Sequence, residues 1–162
     1  MTKKINPAPF AVVIAIAVVL QLALIGIDCR QTPDAVARNF AEAYYSLDAN
    51  MQDYLCDGLV KKGVVNQYLY QKTQQASQRG FSLHYLRKAF TELHVDVEEP
   101  GDTAMTIRLH GTTRVCVNRP FMIVGKLFGI GQNYPVDEQI HLVKENGQWR
   151  VCGNPFGINS KG

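Results

Sequence analysis

The chain contains none of the short motifs that announce a common chemistry. His-Glu-x-x-His, Cys-x-x-Cys, Gly-x-Ser-x-Gly and the phosphate loop are all absent. Their absence removes the local signatures of a zinc peptidase, a thiol redox pair, a serine hydrolase and a nucleotide site. The glycine-rich stretch Gly125 to Gly131 does not match a nucleotide-binding spacing. The four cysteines, Cys29, Cys56, Cys116 and Cys152, are too scattered for a sequence-local zinc site. No metal and no cofactor is therefore expected. Charge is scarce as well, at 19% Asp, Glu, Lys and Arg, with a formal net charge of +3. Lys3 and Lys4 precede every acidic residue, and from Asp28 onward 15 basic residues face 14 acidic ones. A chain so nearly neutral beyond its first residues carries no footprint for nucleic acid. Its 162 residues suffice for one domain with an appendage and exclude a multidomain enzyme.

Apolar residues make up 46% of the chain, and a large share lies in one place. Phe10 to Ile27 is an unbroken run whose only polar member is Gln21. At about 1.5 Å per residue it makes roughly 27 Å of helix, close to the hydrocarbon thickness of a bilayer. A helix satisfies its own backbone hydrogen bonds where no water is available. Lys3 and Lys4 before the run, with Asp28, Arg30 and Asp34 after it, orient it with the N-terminus in the cytoplasm. A cleaved signal peptide has the same polarity but ends in a small-x-small site. Here Leu24 stands two residues before Gly26, and Asp28 precedes Cys29, which argues against a lipoprotein signal. The expectation is an uncleaved anchor in the inner membrane of a bacterial-type cell. A short cytoplasmic segment, 1–9, precedes a transmembrane helix at 10–27 and a juxtamembrane linker at 28–32. A domain at 33–157 and a tail at 158–162 then lie in the periplasm or outside the cell.

Within that domain, Thr32-Pro33-Asp34 is a helix start: a capping hydroxyl, a proline suited to the first turn and an acid at the positive end of the dipole. Val36, Phe40, Ala43, Tyr44 and Leu47 recur at helical spacing over about 14 residues. Asp48 predicts the cap of a short helix carrying Met51, Tyr54 and Leu55. A third helix is expected from about Leu59 to Ser77, its polar end, Gln71 to Gln78, solvated. After Gly80 the period becomes two. Thr91, Leu93, Val95 and Val97 alternate with polar residues, and Glu99 to Asp102 is a turn. The next strand places Ile107, Leu109, Thr113, Val115 and Val117 on one face, with Arg108, His110, Arg114 and Cys116 on the other. Asn146-Gly147 predicts a two-residue hairpin between strands at about Val136–Glu145 and Gln148–Gly153. That register sets Leu142 opposite Val151 and His141 opposite Cys152. Helices followed by an antiparallel meander predict an α+β fold with the helices on one sheet face.

The order of these parts, with Tyr44-Tyr45-Ser46-Leu47-Asp48 ending the first helix and Asn146-Gly147-Gln148-Trp149-Arg150-Val151 closing the sheet, resembles the nuclear transport factor two-like superfamily of cone-shaped α+β domains. The resemblance spans about Pro33 to Pro155. It implies a curved sheet and a helix-lined cavity. Some relatives, such as polyketide cyclases and ketosteroid isomerases, do chemistry there, while others bind or scaffold.

If Trp149 and Val151 face the cavity, strand pairing puts Lys144, Leu142, Ile140, Glu138 and Val136 on the same face. His94, His110 and His141 then point away from it. The polar candidates for the cavity are Tyr44, Tyr68, Thr113 and Glu138, with Glu138 the one candidate for a catalytic base. In an oxidising compartment Cys56 is expected to bond either Cys152 or Cys116, because Cys116 and Cys152 stand about 10 Å apart, two strand spacings. The stretch from Arg119 to Gly131 is too apolar for a solvated hairpin loop. It either folds back as core or exposes Phe121, Met122, Ile123, Leu127 and Phe128 as a patch for a partner or the bilayer. Together these features point to a membrane-anchored, non-catalytic binding or accessory module for an envelope protein or an apolar small ligand. The alternative is a cavity enzyme of isomerase or cyclase type using Glu138 or a helix tyrosine.

Overall fold

Thr32 caps the first helix as its position predicts: its hydroxyl accepts the Ala35 N–H at 3.3 Å, with Pro33 in the first turn. The structure, a computed structural model, describes residues 32–116 and 132–157, together with Ile16. Three helices, α1 (Pro33–Tyr45), α2 (Asp57–Lys61) and α3 (Val64–Gln78), precede four strands. These are β1 (Lys88–Glu99), β2 (Ala104–Val115), β3 (Tyr134–Glu145) and β4 (Gln148–Cys152). The strands form one antiparallel sheet in the order β1-β2-β3-β4. The architecture is therefore α+β, as expected. Among the described residues no helix is long and apolar enough to cross a membrane. The apolar run at 10–27, Cys29, the patch Phe121 to Phe128 and the tail at 158–162 lie outside the described residues, Ile16 excepted.

The core forms where α1 crosses the inner face of the sheet. Val36, Ala37, Phe40 and Ala41 share one helical face, and all are almost fully buried. They meet Ile107 and Leu109 of β2, Ile140 and Leu142 of β3 and Val151 of β4. The hairpin register is the expected one, with Leu142 opposite Val151 and His141 opposite Cys152. Asn146 and Gly147 both adopt positive φ, at 52° and 82°. That is the type I′ backbone whose twist matches two flanking strands.

Four expectations need correction. The single helix from Leu59 to Ser77 is two helices, because Gly63 takes φ 64° and breaks the run after Lys62. Gln71 to Gln78 is not wholly solvated, since Ala76 is 1% exposed. The alternation that begins at Thr91 is interrupted by a bulge between Phe90 and Glu92. An inserted residue shifts the face parity, so Phe90 packs against the core and Thr91 donates to the Thr112 carbonyl at 3.1 Å. Val115, assigned to the inner face, is 43% exposed at the end of β2.

That bulge places the β1 backbone unusually close to Gly111 in β2. A Cβ at Gly111 would press into the Glu92 carbonyl and lie 3.1 Å from the Leu93 Cα. Backbone atoms cannot rotate away as a side chain can. Gly111→Ala is therefore expected to cost about 1–3 kcal/mol, read as a lowered urea midpoint of the full chain. An unchanged midpoint would show that β1 yields at the bulge.

Candidate functional site

Elements α1, α3, β1 and β3, with one turn, converge beside the core to make a cleft of about 350 Å³. The end of α1 supplies Tyr44 and Tyr45, α3 supplies Tyr68 and, one turn on, Lys72, and β3 supplies Glu138. Phe156 comes from the turn after β4. Phe156 takes φ 50°, rare for a residue with a Cβ. This conformation lays its ring 5.6 Å from Phe40 and 4.7 Å from Tyr44, both stacked. Tyr68 continues the stack on Tyr44 at 4.9 Å and 20°, while Tyr45 meets Tyr44 edge-on at 5.3 Å. One wall of the cleft is thus a column of nearly parallel rings.

The Tyr44 hydroxyl of that wall is engaged: it donates to the Phe156 carbonyl at 3.2 Å, and the Tyr68 phenol interacts with it. Burial pushes the pKa of Tyr44, Tyr45 and Tyr68 upward, with the Glu138 charge a further cause for Tyr44 and Tyr45. For Tyr68 the bond to Tyr44 raises it further, whereas for Tyr44 the same bond partly offsets the rise. At neutral pH all three are phenols, able to donate a hydrogen bond but not to accept a proton.

Three of the four cavity candidates, Tyr44, Tyr68 and Glu138, meet in this cleft. Thr113 does not line it. It is fully buried and donates to the Tyr134 carbonyl at 3.3 Å, closing the end of the β2–β3 pair. Lys144 lies on the expected strand face but is exposed, its ammonium 5.7 Å from the Trp149 ring. The sequence pattern did not single out Tyr45, Lys72, Arg79, Lys88 or Phe156, all of which line the cleft. A signal existed only for Phe156: an aromatic inside Gly153-Asn154-Pro155-Phe156-Gly157, a turn-rich segment where a solvated loop has no use for one.

The histidines of the sheet are on its other face. His94 stacks on His110 at 5.0 Å and 7°, and His110 approaches Asp96 at 3.1 Å. His141 contacts the Thr106 hydroxyl at 3.0 Å. Beside them Arg108 grips Asp137 through two bonds of 2.7 and 2.6 Å and reaches Glu98 at 3.4 Å. The Arg108 bonds hold the Asp137 carboxyl below its usual range and push the guanidinium higher. These groups cannot reach a substrate on the helical side.

Of the two expected disulfides the structure contains Cys56–Cys152, with Cα atoms 5.4 Å apart. Cys116 takes no part in it, and its N–H donates to the Arg87 carbonyl at 2.9 Å. Leu55 pairs in parallel with Val151, and the Cys56 N–H donates to the Val151 carbonyl at 3.0 Å. The bond therefore clasps the β4 edge of the sheet to the segment entering α2. Glu145 brings a carboxylate within 4.8 Å of both sulfurs. Sulfurs joined to each other are not thiolate ligands, so this cluster is not a metal centre.

A second groove, of about 920 Å³, runs along the other side of Leu47 and Lys88. It carries both signs of charge, Glu42 and Asp48 with Arg87 and Lys88, and shares none of the tyrosines above, its own being Tyr54. No protein family, curated protein or solved structure matches the chain.

Proposed function

We propose that the chain is a membrane-anchored extracytoplasmic module whose α+β domain binds a small molecule or an envelope partner without transforming it. In this proposal residues 10–27 cross the inner membrane with the N-terminus in the cytoplasm, and the domain is a nuclear transport factor two-like cone. The apolar run behind Lys3 and Lys4 supports the anchor. The Cys56–Cys152 pair supports an oxidising compartment, where such bonds persist. Helices on one face of a four-stranded antiparallel meander are compatible with the cone.

The observation that carries the binding reading is the engagement of the Tyr44 hydroxyl by the Phe156 carbonyl. The Tyr44 phenol, which could polarise a substrate, holds the cleft's own wall instead. Glu138 is the one carboxylate among the described residues lining the cleft, and no histidine lines it. Glu138 therefore has no imidazole beside it to share the proton traffic. The rival, an isomerase- or cyclase-type enzyme, would use Glu138 as that base.

Affinity isolation of the full chain from detergent-solubilised membranes, with small molecules and proteins identified together, tests the choice. The expected result is a compound or partner recovered in unchanged form from both wild type and Glu138→Gln. Recovery of product from wild type and unreacted precursor from Glu138→Gln would establish the enzyme instead.

A further inference from the structure

We infer that the tyrosine-walled cleft selects a small aromatic organic acid, and that Lys72, Arg79 and Lys88 recognise its carboxylate. The inference rests on the binding reading above and specifies the class of ligand. Its first support is shape. Phe40, Phe156, Tyr44 and Tyr68 form a ring column whose interplanar angles are 16° to 20° between successive members. The column ends at Tyr68 in the cleft, and a flat ring extends such a column better than a flexible chain. At about 350 Å³ the cleft is near the lower bound of ordinary ligand pockets, roughly 300–1,000 Å³.

The second support is charge. Lys72, Arg79 and Lys88 line the cleft against the single carboxylate of Glu138, an excess of two positive charges. Every ion pair among the described residues lies elsewhere, on the outer face of the sheet. Lys72 rests 5.5 Å from the Tyr68 ring and contacts the Gln75 amide oxygen at 3.5 Å. Lys88 rests 4.3 Å from the Tyr134 ring. Neither contact neutralises an ammonium group. Unpaired cations beside an aromatic wall can be satisfied by an anion that brings its own ring. The lone carboxylate of Glu138 sets a second demand, because it repels an acid placed too near β3.

The test compares 2-naphthoate with 2-naphthamide, which share a ring system and differ in charge. Equilibrium dialysis would use the full chain in lipid nanodiscs, with empty nanodiscs as the reference. Wild type is expected to bind naphthoate about fivefold more tightly than the amide at low ionic strength, the worth of one or two partly exposed charge contacts. Added salt should narrow the gap. Lys72→Gln with Arg79→Gln should abolish the preference while retaining amide binding. Glu138→Gln should tighten naphthoate and leave the amide unchanged, a gain that misfolding cannot imitate. Equal or stronger binding of the amide by wild type would overturn the inference while leaving a binding cleft. Failure of wild type to bind either probe would overturn the cleft as a ligand site altogether.

Discussion

Phe40→Ala is expected to destabilise the domain by about 3–5 kcal/mol, the range for emptying a fully buried aromatic position. Phe40 is 0% exposed and sits mid-helix on the face of α1 that meets the sheet. Its ring touches the two residues that shape the cleft, Tyr44 at 6.3 Å and Phe156 at 5.6 Å. Loss of the ring removes its transfer free energy and leaves a cavity that the paired strands cannot close. Phe156 suffers additionally, because its left-handed backbone is held by packing and by the Tyr44 hydroxyl. The substitution should therefore weaken binding in the cleft at denaturant concentrations where the sheet is still intact. Trp149, the single tryptophan, lies half-buried on β4 and reports global unfolding by fluorescence. A loss below about 1 kcal/mol would mean that the core collapses around the vacancy.

Removing the Cys56–Cys152 bond is expected to cost about 2–5 kcal/mol, the usual range for a native bond in a small domain. The two cysteines are 96 residues apart in sequence, so the bond closes a loop that contains α2, α3 and the whole sheet but not α1. Long closures restrict the unfolded chain most, although native geometry decides how much of that gain is realised. A local role accompanies the entropic one. β4 is a five-residue edge strand, and among the described residues the sheet is continued beyond it only by the Leu55–Val151 bridge. Without the clasp that bridge should fray first, exposing the Val151 carbonyl that accepts the Cys56 N–H. The Cys56→Ser, Cys152→Ser double variant should match the reduced wild type in its denaturation midpoint. Oxidised and reduced wild type with coincident midpoints would contradict a structural bond here. Cys116→Ser, which leaves the clasp intact, is the control that separates this bond from general thiol effects.

Much of the scaffold was legible because it depends on neighbours in sequence. The Thr32 cap, the Asp48 cap and the Asn146-Gly147 turn are short-range bonds and dihedrals, and each forms as its residues predict. The turn then sets the β3–β4 register without further information, which is why Glu138 was assigned correctly to the helical face. The breaks were harder. Gly63 ends a helix at a position where the apolar pattern continues, since Val64 and Val65 are buried in the next one. The β1 bulge cannot be seen in an alternation of polar and apolar residues, because it is defined by what β2 presents opposite it. Gly111 is the other half of that feature, twenty residues away.

The candidate site divides along the same line. Tyr44 and Glu138 followed from helical face and strand parity, properties of single elements. Lys72 was assigned to a solvated helix end, and Arg79, the residue just past α3, was assigned no role. They become part of a site only because α3 packs so that Tyr68 stacks on Tyr44. Phe156 joins them because the turn after β4 folds back under α1. By itself the sequence determined the near-neutral charge of everything past Lys4, the α+β order of elements, the hairpin register and the face of each strand residue beside that turn. The tertiary structure alone decided that Cys56 pairs with Cys152, that Thr113 is sealed inside the sheet, and that three cations and one carboxylate share an aromatic cleft. Caps, turns and periodicity act within a few residues, and one chain segment can specify them. Convergence depends on how separate elements pack, and that is settled by the whole core at once.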